Sequence, residues 1–130
     1  MADLLSSTSD MDKAELQSLV AKFVKGGDEQ NVEILDDVLH PDYRITFAFP
    51  GETKVTILNR EVYLQMLRDK KLGGRKRDTT IEDISIRGNV AVVRAKLQSP
   101  VMRFNIFFSF INTGSGWKLI SDLPFAEMIG

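Results

Sequence analysis

Two amphipathic helical stretches, a His40-Pro41-Asp42 corner, one further helix and then an unbroken succession of strands from about Thr79 to the C-terminus restrict this chain to an α+β layout. Strands that follow one another through short turns pair antiparallel, and the apolar face of such a sheet has to be covered by the helices. At 130 residues the chain has the size of one domain, and 43% hydrophobic with 27% charged residues is the composition of a soluble globular fold. Residues 1–9 read as a flexible tail and residues 10–130 as the single domain, since the first nine carry only Leu4-Leu5 as apolar bulk and no basic start of a signal peptide.

The element boundaries follow from local chemistry. Helix one is expected from Asp12, whose carboxylate caps free amides with Glu15 completing a capping-box pattern, to Gly26-Gly27, which suits a left-handed C-cap. Its buried stripe is Leu16, Leu19, Val20, Phe23 and Val24. A second helix carries Val32, Leu35, Val38 and Leu39 inward and stops at His40, because the residue before Pro41 is pushed out of helical geometry. A strand from Tyr43 to Phe49, a Pro50-Gly51 turn and a return from Lys54 to Leu58 lead to Asn59, the cap of helix three. That helix is expected to bury Val62, Tyr63, Met66 and Leu67 and to end at Lys70-Lys71 and Gly73-Gly74.

The later strands can be placed in register. A two-residue turn at Gly88-Asn89 sets Ile86 against Ala91, Ile84 against Val93 and Asp83 against Arg94. A similar turn at Ser99-Pro100 would set Leu97 against Met102, Ala95 against Phe104 and Val93 against Ile106. One apolar face results, with Ile84, Ile86, Val93, Leu97, Phe104, Ile106, Phe108 and Phe110, and it should look toward the helices. The opposite face mixes Arg94, Lys96, Arg103 and Asn105 with Val92 and Phe107, a pattern suited either to water or to a subunit partner. The last strand, after Asn112 to Gly116, is ambiguous by one residue, and that residue decides whether Asp122 points in or out.

Several chemistries are excluded outright. Without cysteine there are no disulfides, thiolate metal sites or cysteine nucleophile, and a cytoplasmic setting is the expectation. One histidine cannot form a multi-histidine metal site, so neither metal nor cofactor is expected. The basic run Lys70, Lys71, Arg75, Lys76 and Arg77 lacks interleaved aromatics in a chain of net charge -1; it reads as a solvated helix end and loop, with no nucleic-acid partner. No stretch has the length of a membrane span.

Among reactive side chains, His40 reads as a helix-end residue, Asp42 as a turn residue and Trp117 as a core anchor. Asp122 is the catalytic candidate: facing inward beside Ile106 it would be a carboxylate on an apolar wall, where burial raises the pKa toward general-base duty. Tyr43 and Tyr63 could set hydroxyls at the rim of a pocket lined by Phe47, Met66, Phe104, Ile106 and Phe108, between helix one, helix three and the sheet. Such a lining suits a small apolar or aromatic molecule better than a sugar or nucleotide.

Gly26-Gly27-Asp28, Leu39-His40-Pro41-Asp42, Asn59-Arg60-Glu61, the run Ile84 to Ala95 and the closing Gly116-Trp117-Lys118-Leu119-Ile120-Ser121 together resemble the nuclear transport factor 2-like superfamily, within it the SnoaL-like, putative lumazine-binding group. The resemblance covers Asp12 to Leu123 and implies a cone-shaped fold, three N-terminal helices on a strongly curved, mostly antiparallel sheet, and a homodimer formed through that sheet. It also implies a pocket that relatives use for ligand binding, isomerisation, cyclisation or nothing catalytic. Where ketosteroid isomerases place a general-base aspartate after the first strand, this chain has Phe47 or Phe49, neither of which can take a proton. The expected function is therefore small-molecule binding. The alternatives are a cofactor-independent lyase, isomerase or cyclase using Asp122, and a purely structural dimerisation module.

Overall fold

The computed structural model of the chain describes the backbone of residues 2–130 and the side chains of residues 10–130, so the expected tail at 1–9 lies outside the residues whose side chains are described. The order is α1 (Ala2–Asp28), α2 (Val32–Asp36), β1 (Leu39–Phe47), β2 (Thr56–Asn59), α3 (Arg60–Arg68), β3 (Asp78–Arg87), β4 (Val90–Gln98), β5 (Met102–Asn112) and β6 (Trp117–Met128). The six strands form one sheet in the order β2-β1-β6-β5-β4-β3. Every pairing is antiparallel except β1 with β6, which brings the first and last strands side by side inside the sheet, next to its β2 edge.

Helix α1 buries the stripe expected of it, Leu16, Leu19, Val20, Phe23 and Val24, but both of its ends differ from the expectation. Asp12 and Glu15 lie inside the helix, and their carboxylates are engaged elsewhere: Trp117 Nε1 donates to Asp12 Oδ1 at 3.1 Å and Trp117 N to Glu15 Oε2 at 2.9 Å. What reads as a capping box is the tether between α1 and the start of β6. At the other end the helix runs through Gly26-Gly27 to Asp28, and the left-handed residue is Gln30, at φ 53. Asn31 N donates to Gly26 O at 2.8 Å and Gln30 N to Gly27 O at 3.2 Å, the paired closure of a Schellman motif. Lys70, at φ 59, closes α3 in the same way, with Lys71 N donating to Met66 O and Lys70 N to Leu67 O.

The glycine pairs serve a different purpose. Gly74 N donates to Gly27 O at 3.1 Å, and a Cβ built on Gly73, at φ +71, would overlap that same carbonyl. The two pairs are where the end of α1 and the loop after α3 touch backbone to backbone, a contact no side chain permits. Gly26 similarly gives way to Leu35, whose Cγ lies 2.6 Å from where its Cβ would stand.

Leu39 and His40 open β1 instead of ending α2, and Asn59 caps α3 as expected, its Oδ1 accepting from Val62 N at 2.9 Å. The buried face of α3 is Tyr63, Leu64 and Leu67; Val62 is turned out and Met66 is half-buried. The Gly88-Asn89 hairpin has the expected register, Ile86 opposite Ala91 and Asp83 opposite Arg94. The β4–β5 register is two residues away from expectation: Leu97 faces Phe104, Ala95 faces Ile106 and Val93 faces Phe108. The turn is Pro100-Val101, closed by Ser99 N donating to Met102 O at 2.9 Å, because proline's fixed φ fits the first central position of a turn and not the second. A slip of two preserves which face each side chain takes. The inner face therefore buries Ala91, Val93, Ala95, Leu97, Ile106, Phe108 and Phe110 against α1, as the alternation demands.

Candidate functional site

The last strand carries the feature that builds the site. Phe110 pairs with Leu119 and Ser109 with Ser121, so Ile120 has no partner and forms a bulge. Without it, strict alternation from the buried Trp117 and Leu119 would turn Asp122 outward. The extra residue reverses the phase: Asp122 lies inward at 2% exposure, between Phe108 on β5 and Ile45 on β1, while Leu123 and Phe125 come to the outer face. The ladder with β1 has its last paired residues at Ile45 and Asp122, and Pro124, two residues on, has no N–H with which to extend it.

Asp122 has few polar neighbours for a buried carboxylate. Tyr43 OH donates to its Oδ2 at 3.3 Å, and Oδ1 has no hydrogen-bond partner. Burial pushes its pKa from 3.8 up to about 7, against the smaller lowering effects of the Tyr43 hydrogen bond and the Arg77 charge. Burial first, then the facing Asp122 charge, raises both the Tyr43 and Tyr63 hydroxyls above the usual phenol range, so both stay protonated as donors. The rings around the carboxylate form an aromatic shell: Tyr43 lies 5.4 Å from Tyr63, and Phe23 contacts Tyr63 at 6.0 Å and Phe108 at 5.3 Å, all near edge-to-face.

The residues expected to line a pocket divide. Tyr43, Tyr63, Ile106 and Phe108 are buried in the core with Asp122, whereas Met66 and Phe104 are half-buried and Phe47 packs on Phe49 at 5.7 Å. A groove of about 590 Å³ opens elsewhere, between the C-terminal half of α1 and the start of β3. Val20, Ala21, Val24 and Ile81 make its apolar wall, and Lys25, Asp28, Glu29, Lys76 and Arg77 its charged rim.

Arg77 is the residue that sequence reasoning passed over by grouping it with the solvated basic run. Its side chain is only 17% exposed, its N and Nε donate to the two Asp28 oxygens at 2.9 and 2.7 Å, and its guanidinium lies 5.3 Å from the centre of the Phe104 ring. Asp28 and Arg77 are 49 residues apart, and no local spacing links them. His40 and Asp42 form a local turn, Asp42 N donating to His40 Nδ1 at 3.0 Å. Trp117 is a buried anchor at 2% exposure.

The family model described as Putative lumazine-binding matches residues 11–123. The chain belongs to that family. Solved structures described as nuclear transport factor 2-like superpose on it and show the fold it shares with them. A nuclear transport factor 2-like protein of unknown function from Silicibacter pomeroyi is similar over 94% of this chain and 98% of its own, with 19% identity and a TM-score of 0.76. One from Shewanella baltica covers 90% of this chain and 94% of its own at 17% identity, with a TM-score of 0.78. A domain of unknown function with a cystatin-like fold from Nostoc punctiforme covers 92% and 79% at 11% identity, with a TM-score of 0.72. No curated protein matches the sequence significantly. At these identities the likeness of this Putative lumazine-binding domain to the solved structures is one of fold.

Proposed function

We propose that this domain binds a small apolar or aromatic molecule on the inner side of its sheet, between α1, α3 and the strands, with Asp122 as the polar determinant. The observation that carries the reading is the orphaned Asp122 Oδ1: a fully enclosed carboxylate oxygen without a partner costs about 1–3 kcal/mol, and a ligand donor would satisfy it. Tyr43 and Tyr63 supply the neighbouring hydroxyls, and Phe108 and Ile106 the apolar surface. A library of hydrophobic and aromatic metabolites screened by thermal shift against wild type and Asp122→Asn tests it. Stabilisation seen in wild type and lost in the variant is the expected result; ligands that stabilise both equally would remove Asp122 from the site.

The second reading is a cofactor-independent lyase, isomerase or cyclase. It is favoured by one observation, a carboxyl held at about 7 beside a protonated tyrosine, which is the pairing of a base with a proton donor near neutrality. Asp122 would take the proton and Tyr43 would steady the developing charge.

The outer sheet face supports a homodimer. Val92, Phe107, Leu123 and Phe125 are all exposed there, Phe107 directly opposite Leu123, with the Arg103–Glu127 ion pair at 2.8 Å beside them. Light scattering on a sizing column should give twice the monomer mass at micromolar concentration, and Phe107→Glu should return it to monomer. A wild-type monomer would refute the assembly. Among the described residues no helix is long and apolar enough to cross a membrane, and the absence of cysteine accords with a reducing, cytoplasmic setting.

A further inference from the structure

We infer that the groove between α1 and β3 seats a small organic acid, its apolar body against Val20, Val24 and Ile81 and its carboxylate accepting from the Nη atoms of Arg77. This rests on reading the domain as a small-molecule binder and adds the charge of the ligand, the residue that holds it and a location other than the aromatic core. A volume of about 590 Å³ is that of a small-molecule site.

Arg77 is held as a hook. Its Nε and backbone N are both taken by Asp28, and its guanidinium lies over the Phe104 ring at 5.3 Å, so the side chain is held before any ligand arrives. Among the described residues those are its only hydrogen bonds, which leaves both Nη groups to a further acceptor. Gly27 clears the space: a Cβ there would stand 3.2 Å from Arg77 Nη2. The rim adds Lys25 and Lys76 against Glu29, since Asp28 is already neutralised by Arg77, so the unpaired balance is positive.

The position in the fold selects the anion. The groove lies along the C-terminal half of α1, where the helix dipole is negative and no free helix amides point outward. A phosphate dianion gains from several converging amides, which this site lacks. A monoanionic carboxylate needs one planar fork, and Arg77 offers it.

Matched probes test the assignment: naphthoate and its neutral counterpart naphthamide, each titrated into uniformly labelled protein and followed by amide chemical shifts. The expected result is movement of the Val20, Val24, Arg77 and Ile81 amides, with naphthoate bound about tenfold or more tightly than naphthamide, the discrimination of a charge-assisted hydrogen bond. Arg77→Gln should bring naphthoate down to the affinity of the amide. Because Arg77 also carries the Asp28 pair, Ala21→Trp is the companion variant: it adds an indole to the groove from an exposed helix position and should abolish binding of both probes. Equal affinities, no binding of either probe, or naphthoate binding that survives Ala21→Trp would each overturn the inference. Shifts centred on Tyr43, Phe108 and Asp122 that vanish in Asp122→Asn but persist in Ala21→Trp would overturn the groove while supporting an interior site.

Discussion

Asp122→Asn should stabilise the protein most at pH 8, less at pH 5 and hardly at all below about pH 4. A carboxyl raised from 3.8 to about 7 keeps its proton in the folded chain across a range where the unfolded chain has released it. The folded state therefore binds more protons between about pH 4 and pH 7, and stability falls as pH rises through that window, levelling off once both states are ionised. At about 1.36 kcal/mol per pH unit the full penalty is on the order of 4 kcal/mol, with roughly 2 to 3 kcal/mol of it between pH 5 and pH 8. Asparagine keeps the shape and can still meet Tyr43, but has no proton to lose. Urea denaturation of both proteins across that range checks this; parallel pH profiles would mean that Asp122 ionises at an ordinary value in the folded chain.

Gly73→Ala should be the most damaging of the small substitutions, costing roughly 3 kcal/mol or more, because two penalties act together. The residue sits at φ +71, and its new Cβ would overlap Gly27 O, a backbone atom that no rotamer change can move. Relief requires separating the loop from α1, which breaks the Gly74 N–H to Gly27 O bond and loosens the Asp28–Arg77 pair alongside. Gly88→Ala is the control, since Gly88 has a similar φ of +56 with nothing within 4 Å, and should cost about 1 kcal/mol. Equal losses in the two variants would show that crowding at Gly73 is unimportant.

These two residues also mark what was legible in the sequence. The Gly88-Asn89 hairpin could be placed residue by residue, because a two-residue turn leaves one register, and the sheet faces followed from alternation even where the β4–β5 turn was misplaced. Helical spacing sufficed for the α1 stripe. Glycine pairs were read through their local meaning, as caps, when their role is a contact between segments over 40 residues apart, visible only once the chain is folded. Arg77 was hidden in the same way, by neighbours that made it look solvated while its partners lie on α1 and β5. The direction of Asp122 was undecidable because it depends on whether one backbone residue is skipped, which no turn residue or alternation near Ile120 marks.

That skipped residue ties the inside of the molecule to its outside. With Ile120 in the bulge, the sequence Asp122-Leu123-Pro124-Phe125 delivers its carboxylate to the core and its two large apolar side chains to the exterior in a single stroke. Neither direction can be changed alone by the backbone: the same residues paired without a skip would turn Leu123 and Phe125 inward and Asp122 outward together. The side to which Asp122 turns and the side to which Leu123 and Phe125 turn are thus two readouts of one backbone irregularity.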